Sequence, residues 1–237
     1  TTVTVNRPGE SIISENFSVN VEANRPGDLD NLAYHNLTIT KDGTTYYEEN
    51  TSLEGQESDG HLYNITDFPV SDLGSDGNYT LNTTASSEGG EYATTETDFY
   101  LDTTPPDASI SDRLNDSWVN GTLNVPFTAK DETSNGSIML KYRNETSEWT
   151  DLKHLEFTQS SFTFNTERYC QDSEEENCAV KIVVSDSAEN INSSYIEFKV
   201  DNTPPEVLIS SPEARSWQKE DFTVQRAVSD NVLDAYE

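Results

Sequence analysis

The sequence contains little cysteine, little positive charge and no long apolar segment. It has two Cys and one Met among 237 residues, and 14 basic residues against 44 acidic ones give a net charge of −30. A surface this acidic repels phosphate, so we expect no nucleic-acid partner. No apolar run approaches the roughly 18 residues of a membrane helix, so we expect no direct membrane insertion in this segment. A secretory signal is also missing, and we interpret the chain as a mature protein or part of a larger one.

One long sequence repeat organises the chain. Residues 99–106 (FYLDTTPP) recur as residues 198–205 (FKVDNTPP) at an offset of 99, and Ser117-Trp118 recurs at the same offset as Ser216-Trp217. Unrelated segments do not keep one offset over so many positions, so the chain is a tandem array of units about 99 residues long.

The residue pattern inside a unit has the period of a β-strand. Leu123, Val125 and Phe127 alternate with polar or outward residues, and no stretch has helical spacing. Asp42-Gly43 separates two strand-like runs in the way that a hairpin turn does. Six to eight short strands in each unit predict an all-β fold of tandem immunoglobulin-like antiparallel β-sandwiches.

The repeat also predicts the domain boundaries. We expect one sandwich over residues 1–103 and a second over residues 104–202. Residues 203–237 hold only the first strands of a third, incomplete domain, and about 35 residues cannot bury a sandwich core alone. We therefore expect further residues of the same protein to complete that sheet, or another subunit to complete it by strand exchange.

Three segments resemble a known family. The junctions at residues 102–106 (DTTPP) and 201–205 (DNTPP), and the run at residues 184–190 (VSDSAEN), are similar to those of bacterial and archaeal Ig-like repeat proteins. Members of that family are extracellular stalks, adhesins or envelope proteins. The resemblance implies a cell-surface location and neighbouring Ig-like domains in the same protein as the partners.

Two further features favour a salt-loving archaeal source. Residues 211–215 (SPEAR) resemble the SPEARE-type surface proteins of haloarchaeal episymbionts over five residues. Lys is scarce, at seven residues, while carboxylates dominate. Such a surface repels itself in dilute buffer, and molar salt screens that repulsion within about 3 Å. An ordinary acidic extracellular protein is the alternative.

The sequence is rich in N-glycosylation sequons. About five of its 21 Asn would precede x-Ser/Thr by chance, given 53 Ser and Thr, and the observed number is 11. The alternative is that Asn-containing turns happen to precede Ser or Thr. The predicted glycan acceptors are Asn16, Asn36, Asn50, Asn64, Asn78, Asn82, Asn115, Asn120, Asn135, Asn144 and Asn192.

The two cysteines, Cys170 and Cys178, lie close together in the second unit. Cys178 aligns with Tyr79 of the first unit at the repeat offset. We predict a disulfide that closes the connection into this strand, as an exported compartment permits. A thiolate metal site is the alternative, but two Cys with no nearby His make a poor zinc shell.

Carboxylates cluster in the sequence near the first junction. The loops of an Ig-like sandwich that meet at its N-terminal end contain six of them: Asp102, Asp107, Asp131, Glu132, Asp186 and Glu189. Calcium takes six to eight oxygen ligands, so we expect calcium as the one possible cofactor. The alternative is an ordinary acidic surface on a very acidic protein.

No residues form a recognisable catalytic motif. His35, His61 and His154 have no paired motif, and we predict His35 and His61 at surface or edge positions. Trp149 either packs on its sheet or faces a glycan. No nucleophile elbow and no phosphate-binding glycine loop occur, so we predict no catalytic residues and no enzyme activity.

The sequence therefore favours a non-enzymatic structural stalk, or an envelope or appendage segment, of a glycosylated extracellular protein. The first alternative is an adhesion or host-recognition module that binds a cell-surface protein or glycan. The second is an accessory Ig-like array attached to a secreted hydrolase.

Overall fold

In the computed structural model, the described residues are 1–9, 11–24, 31–53, 60–131, 136–145 and 148–230. Two compact units are distinguished, Thr1–Pro105 with Ser187–Asn190 and Pro106–Asp186 with Ile191–Glu237. Within the described ranges, no helix has the length and apolar character needed to cross a bilayer.

The first unit is built from eight strands, as far as the described residues go. They are β1 (Thr2–Arg7), β2 (Ile12–Ile13), β3 (Phe17–Asn24), β4 (Leu32–Lys41), β5 (Thr44–Ser52), β6 (Gly60–Phe68), β7 (Gly77–Ser87) and β8 (Tyr92–Leu101). They form a three-stranded sheet in the order β1-β3-β6 and a five-stranded sheet in the order β2-β8-β7-β4-β5.

The second unit repeats this arrangement with β9 (Asp107–Ile110), β10 (Trp118–Val119), β11 (Thr122–Lys130), β12 (Ser137–Arg143), β13 (Thr150–Leu155), β14 (Ser161–Asn165), β15 (Ser173–Ser185) and β16 (Ile191–Val200). A single-turn helix, α1 (Thr166–Tyr169), follows β14. The sheet orders are β14-β11-β9 and β10-β16-β15-β12-β13, so each strand has a counterpart in the first unit.

These sheet orders confirm the prediction of tandem immunoglobulin-like β-sandwiches. Almost all neighbouring strands are antiparallel, as in the pairing of β15 with β16. Two short additions are parallel: β2 pairs with β8, and β10 pairs with β16. Each parallel pair extends the five-stranded sheet by one edge strand of two residues.

Alternating apolar residues from the two sheets fill each core. In the first unit the fully buried side chains include Leu37, Ile39, Phe68, Tyr79 and Leu81. In the second they include Ile138, Leu140, Phe164, Ile182 and Phe198. Burying a side chain of this size stabilises the fold by about 1.5–3 kcal/mol, so a low overall hydrophobic fraction still supplies two separate cores.

The β4–β5 hairpin follows the turn that the sequence predicts. Asp42 and Gly43 both have positive φ, 50° and 76°. A two-residue turn with positive φ at both positions matches the right-handed twist of paired strands. Asp and Gly tolerate this backbone region better than other residues.

The prediction for His35 is wrong. His35 is fully buried on the inner face of β4, in the same alternation as Leu37 and Ile39. His61 on β6 is half-buried, and His154 is exposed.

The residues after position 205 form a hairpin of β17 (Glu206–Ser211) and β18 (Gln225–Ser229). The two strands pair with each other, antiparallel. Val207, Leu208 and Ile209 are 59–61% exposed, so this hairpin has no core in the described residues.

Candidate functional site: the linker segments

Each sandwich ends in a short segment that leaves its last strand. The first linker, residues 102–106, follows β8, and the second linker, residues 201–205, follows β16. Both contain Thr-Pro-Pro, and proline holds the residue before it in extended geometry. The remaining backbone freedom of the linker therefore lies mainly in the two residues that precede Thr-Pro-Pro.

The first linker is bound by the carboxylate of Asp76, in the loop before β7. Asp76 Oδ1 accepts hydrogen bonds from the Thr103 backbone N, 3.0 Å away, and from Thr103 Oγ1, 2.8 Å away. Asp76 Oδ2 accepts from Thr104 Oγ1 at 2.6 Å. Burial raises the pKa of Asp76, but the hydrogen bonds from Thr104 and Thr103 outweigh it and lower the pKa below its usual value. We call Asp76, Thr103 and Thr104 the first linker site.

The second linker is bound in the same way by Asp172, before β15. Asp172 Oδ1 accepts from the Asn202 backbone N at 2.7 Å, and Oδ2 accepts from Thr203 Oγ1. The Asn202 side chain also takes part, because its Oδ1 accepts from Gly121 N at 3.0 Å and from Thr166 Oγ1 at 2.7 Å. We call Asp172, Asn202 and Thr203 the second linker site.

The first residue of each linker adds a local turn. Asp102 Oδ1 accepts from Thr104 N at 3.3 Å, and Asp201 Oδ1 accepts from Thr203 N at 3.2 Å. Asp commonly bonds the backbone two residues ahead in this way. The Asp-Thr-Thr and Asp-Asn-Thr motifs therefore fold back on themselves and on their own domain.

A tether holds the loop that presents each linker-binding carboxylate. In the first unit, Tyr79 Oη accepts from Gly74 N and donates to Ser75 O, both at 2.9 Å. This is the tyrosine corner of Ig-like sandwiches. In the second unit, Cys178 stands at the equivalent position and forms the predicted disulfide with Cys170. The loop before this strand is therefore held in both domains, by tyrosine hydrogen bonds in the first and by a disulfide in the second.

Sequence reasoning missed Asp76 and Asp172 because their spacing hides them. Their separation is 96 residues, while the linkers that they bind repeat at 99. The three-residue difference lies in the loop before each strand, so a comparison at fixed offset does not align the two carboxylates. The available signal was an Asp shortly before the strand that leads to each Thr-Pro-Pro.

The predicted calcium ligands of the second unit lie at the ends of its strands. Asp131 follows β11 and Asp186 follows β15, and their carboxylate oxygens lie within 4.8 Å of each other. Asp186 is buried. Asp107 begins β9 and pairs in register with Lys130. Glu132 lies outside the described residues.

Two predicted calcium ligands belong to the first unit. Asp102 is buried, at 1% exposure, and its backbone O accepts from Asn190 Nδ2 at 2.8 Å. Glu189 is exposed and has a left-handed φ of 69°. A left-handed residue closes a tight turn there without glycine.

Ten of the predicted glycan acceptors lie in the described residues, and none of the ten is buried. Four lie on the outer face of the five-stranded sheet in the first unit: Asn36, Asn50, Asn78 and Asn82. Asn16 and Asn64 are exposed elsewhere in that unit, and Asn115, Asn120, Asn144 and Asn192 are in the second unit. Asn135 lies outside the described residues.

No protein-family description matches the chain, and no curated protein matches it. A solved structure titled as a tetra-tandem repeat in the extending region of a large adhesion protein is similar at 17% identity and a TM-score of 0.36, over 90% of this chain and 52% of that one. This chain therefore spans about half of that structure. The IG1 and IG2 domains of DIP-gamma are similar at 11% identity and a TM-score of 0.37, over 86% and 99% of the two chains. Murine CEACAM1b is similar at 14% identity and a TM-score of 0.37, over 84% and 100%. Values this low assign neither a family nor a function.

Proposed function

We propose that this chain is a non-enzymatic structural segment of an extracellular surface protein, in which Ig-like domains act as stiff spacers. The observation that carries the proposal is the repetition of the linker site. Each domain uses a carboxylate to bind the linker that leaves it, and hydrogen bonds to a charged group contribute about 1.5–3 kcal/mol each. A spacer needs linkers of restricted freedom, whereas a sandwich does not need them in order to fold.

Removing one linker site tests the proposal. We expect Asp76→Ala to free Thr103 and Thr104 and to leave the cores intact. Amide hydrogen exchange at Thr103 should become at least tenfold faster, and small-angle scattering should indicate a broader distribution of dimensions. Asp72→Ala, an exposed carboxylate of the same loop, is the matched control. Unchanged exchange and scattering in Asp76→Ala would contradict a spacer function for the linker site.

We propose an extracellular location and N-linked glycans for the same segment. The disulfide supports the location, since such bonds persist in oxidising compartments. The four sequons on one outer sheet face support the glycans, because a glycan attached there does not enter the core. Glycopeptide mass spectrometry of the protein from its native host should find glycans at Asn36 and Asn82. Unmodified asparagine at every sequon within the described residues would overturn the proposal of N-linked glycans.

We propose a salt-loving source from the charge of −30 and the seven Lys. The folded chain should be stabilised as NaCl rises from 0.1 M to 3 M, because salt screens repulsion between its carboxylates. Thermal unfolding measured at both NaCl concentrations tests this expectation. A melting temperature that falls or stays constant would favour an ordinary acidic extracellular protein.

The pair of Asp131 and Asp186 favours one addition, calcium binding at that end of the second domain. Two carboxylates within 4.8 Å repel each other, and a divalent cation offsets the repulsion. The sequence adds Asp107 and Glu132 of the same domain as proposed ligands. Calcium at 5 mM should raise the melting temperature of the wild type more than that of Asp186→Asn. Asp112→Asn, an exposed control, should respond as the wild type does. An equal response of all three proteins would remove the calcium proposal.

A further inference from the structure

An aromatic and basic patch covers part of the outer sheet face of the second domain. The Trp149 patch consists of Lys141, Arg143, Trp149, Lys181 and Tyr195. Lys141 on β12 pairs in register with Lys181 on β15, and Lys181 pairs with Tyr195 on β16. Residues directly opposite each other on neighbouring strands have Cβ atoms about 4.5–5.5 Å apart. The patch is therefore a continuous surface across three strands.

The indole ring of Trp149 lies at the centre of the patch. The guanidinium carbon of Arg143 is 5.0 Å from the ring centroid, and Lys181 Nζ is 5.5 Å from it. Tyr195 meets the indole at an angle of 67°, with the ring centroids 6.0 Å apart. Trp149 is half-buried by these neighbours, whereas Tyr195 is 57% exposed. The contacts hold the indole in place and leave an aromatic surface open beside a cation.

The cations of the patch differ in how their charge is balanced. Arg143 contacts the Glu197 carboxylate, and Lys141 Nζ lies 2.6 Å from Asp151 Oδ1. Within the described part of the chain, Lys181 contacts the indole but forms no ion pair with a carboxylate. Lys181 is thus available to an anionic group from outside the domain.

The first domain indicates that the fold does not require this patch. Its corresponding strands, β4 and β7, carry Thr38, Thr40, Thr80 and Asn82 on the same outer face. Both domains close the same sandwich, so closing the sandwich does not require this group of side chains. The outer face of the first domain carries four sequons, whereas the Trp149 patch contains none.

We infer that the Trp149 patch binds the carboxylate-bearing sugar of an acidic glycan, of the hexuronic acid type. Aromatic rings offer a flat apolar face to the C–H face of a pyranose ring, and Lys181 offers an ammonium group to its carboxylate. A protein partner needs about 800 Å² on each side, which is more than five side chains provide. This activity goes beyond the spacer function and does not depend on it.

Binding of tetragalacturonate to the intact chain tests the inference. Calorimetric titration in 0.15 M NaCl without divalent cations should give saturable binding, because this salt screens charges more than about 8 Å away but not a contact pair. The fully methyl-esterified tetrasaccharide is the matched probe, since it keeps the rings and lacks the charge. It should bind at least tenfold more weakly.

Variants locate the site. Lys181→Gln and Trp149→Ala should each weaken binding at least tenfold, and Lys181→Arg should keep it within threefold. Lys199→Gln is the matched control, because Lys199 lies over Trp118 on the same sheet, outside the patch. It should bind as the wild type does. Lys181 is not in the core, so Lys181→Gln remains informative if Trp149→Ala does not fold.

Four results would overturn the inference. They are no saturable binding at millimolar tetragalacturonate, equal binding of the methyl ester, an equal loss in Lys181→Gln and Lys199→Gln, and tighter binding of poly-glutamate than of the sugar. The last result would assign the patch to an acidic protein instead. None of them bears on the linker sites, so the spacer function is tested separately.

Discussion

The Nδ1 atoms of His35 and His61 lie 3.0 Å apart inside the first domain, and their neighbours determine which nitrogen carries a proton. Thr83 Oγ1 donates to the backbone O of Asn36 at 3.0 Å. It therefore accepts from His35 Nε2, 2.9 Å away. His35 is then protonated at Nε2 and accepts at Nδ1, and His61 donates from its own Nδ1. A second proton on His35 would break this bond and bury a charge.

We expect the first domain to lose stability between pH 6.5 and pH 4. Burial, with the nearby His61, lowers the pKa of His35 from 6.5 to about 4. Burial also lowers the pKa of His61, while Glu49 opposes that shift. As the pH falls, His35 takes up its second proton in the unfolded chain before it does so in the folded chain. The contribution of neutral His35 to the free energy of unfolding is therefore fully present above pH 6.5 and falls by about 3 kcal/mol on the way to pH 4. Asp76 affects stability at lower pH. Because its pKa is lowered in the folded chain, its carboxylate stabilises the fold above pH 3.8, and this contribution is lost as the pH falls further.

Urea unfolding at pH 7.0 and pH 4.5 measures the effect. His35→Gln keeps a hydrogen-bonding side chain but does not titrate, so it should lose more than half of the pH dependence in this range. His154→Gln changes an exposed histidine and should match the wild type. If His35→Gln and His154→Gln show the same pH dependence, the buried pair is not its source.

Tyr79→Phe should destabilise the first domain by about 1–3 kcal/mol, because two hydrogen bonds are lost: the Gly74 amide loses its acceptor and the Ser75 carbonyl loses its donor. The free energy of unfolding and the exchange rate of the Gly74 amide report the loss. Tyr92→Phe removes the hydroxyl of a residue that is 76% exposed and should change neither quantity. A stable Tyr79→Phe variant would show that the tyrosine corner is dispensable here.

Loss of the disulfide should loosen the second linker alone. Asp172 lies within the loop that Cys170 and Cys178 close, and closing so short a loop stabilises the fold by roughly 2–3 kcal/mol. In Cys170→Ser/Cys178→Ser, the Asn202 amide should exchange faster, since Asp172 is its acceptor. The Thr103 amide, bound to Asp76, is an internal control and should keep its rate. Equal acceleration at both amides would indicate general destabilisation rather than a local tether.

The repeated sandwich was readable from sequence because it depends on local patterns. Alternation of Leu123, Val125 and Phe127 predicted a strand with one buried face, and the structure contains β11 there. The same alternation, carried back from Leu37 to His35, would have placed that histidine in the core. We expected it at a surface or edge position because it has no paired motif in the sequence, whereas in the structure Thr83 and His61 satisfy its nitrogens.

The linker sites were not predictable in the same way. Asp76 and Thr103 are 27 residues apart, and only the closure of the sandwich brings them together. The Trp149 patch has the same origin, because Lys141, Lys181 and Tyr195 become neighbours through strand register. The alternation of residues along one strand identifies the face of the sheet on which a residue lies. It does not identify the residue of the neighbouring strand that lies beside it.

Tyr79 in the first domain and Cys178 in the second occupy equivalent positions, and the difference between them affects how each domain responds to tension. A pulling force can break the hydrogen bonds of the Tyr79 hydroxyl with Gly74 and Ser75, and the loop before β7 can then extend. The covalent bond between Cys170 and Cys178 keeps the intervening chain from extending, which withholds roughly 25 Å of contour length at about 3.4 Å per residue. We therefore expect the two sandwiches to differ under tension although they share one architecture, with the first releasing chain from this loop and the second holding it.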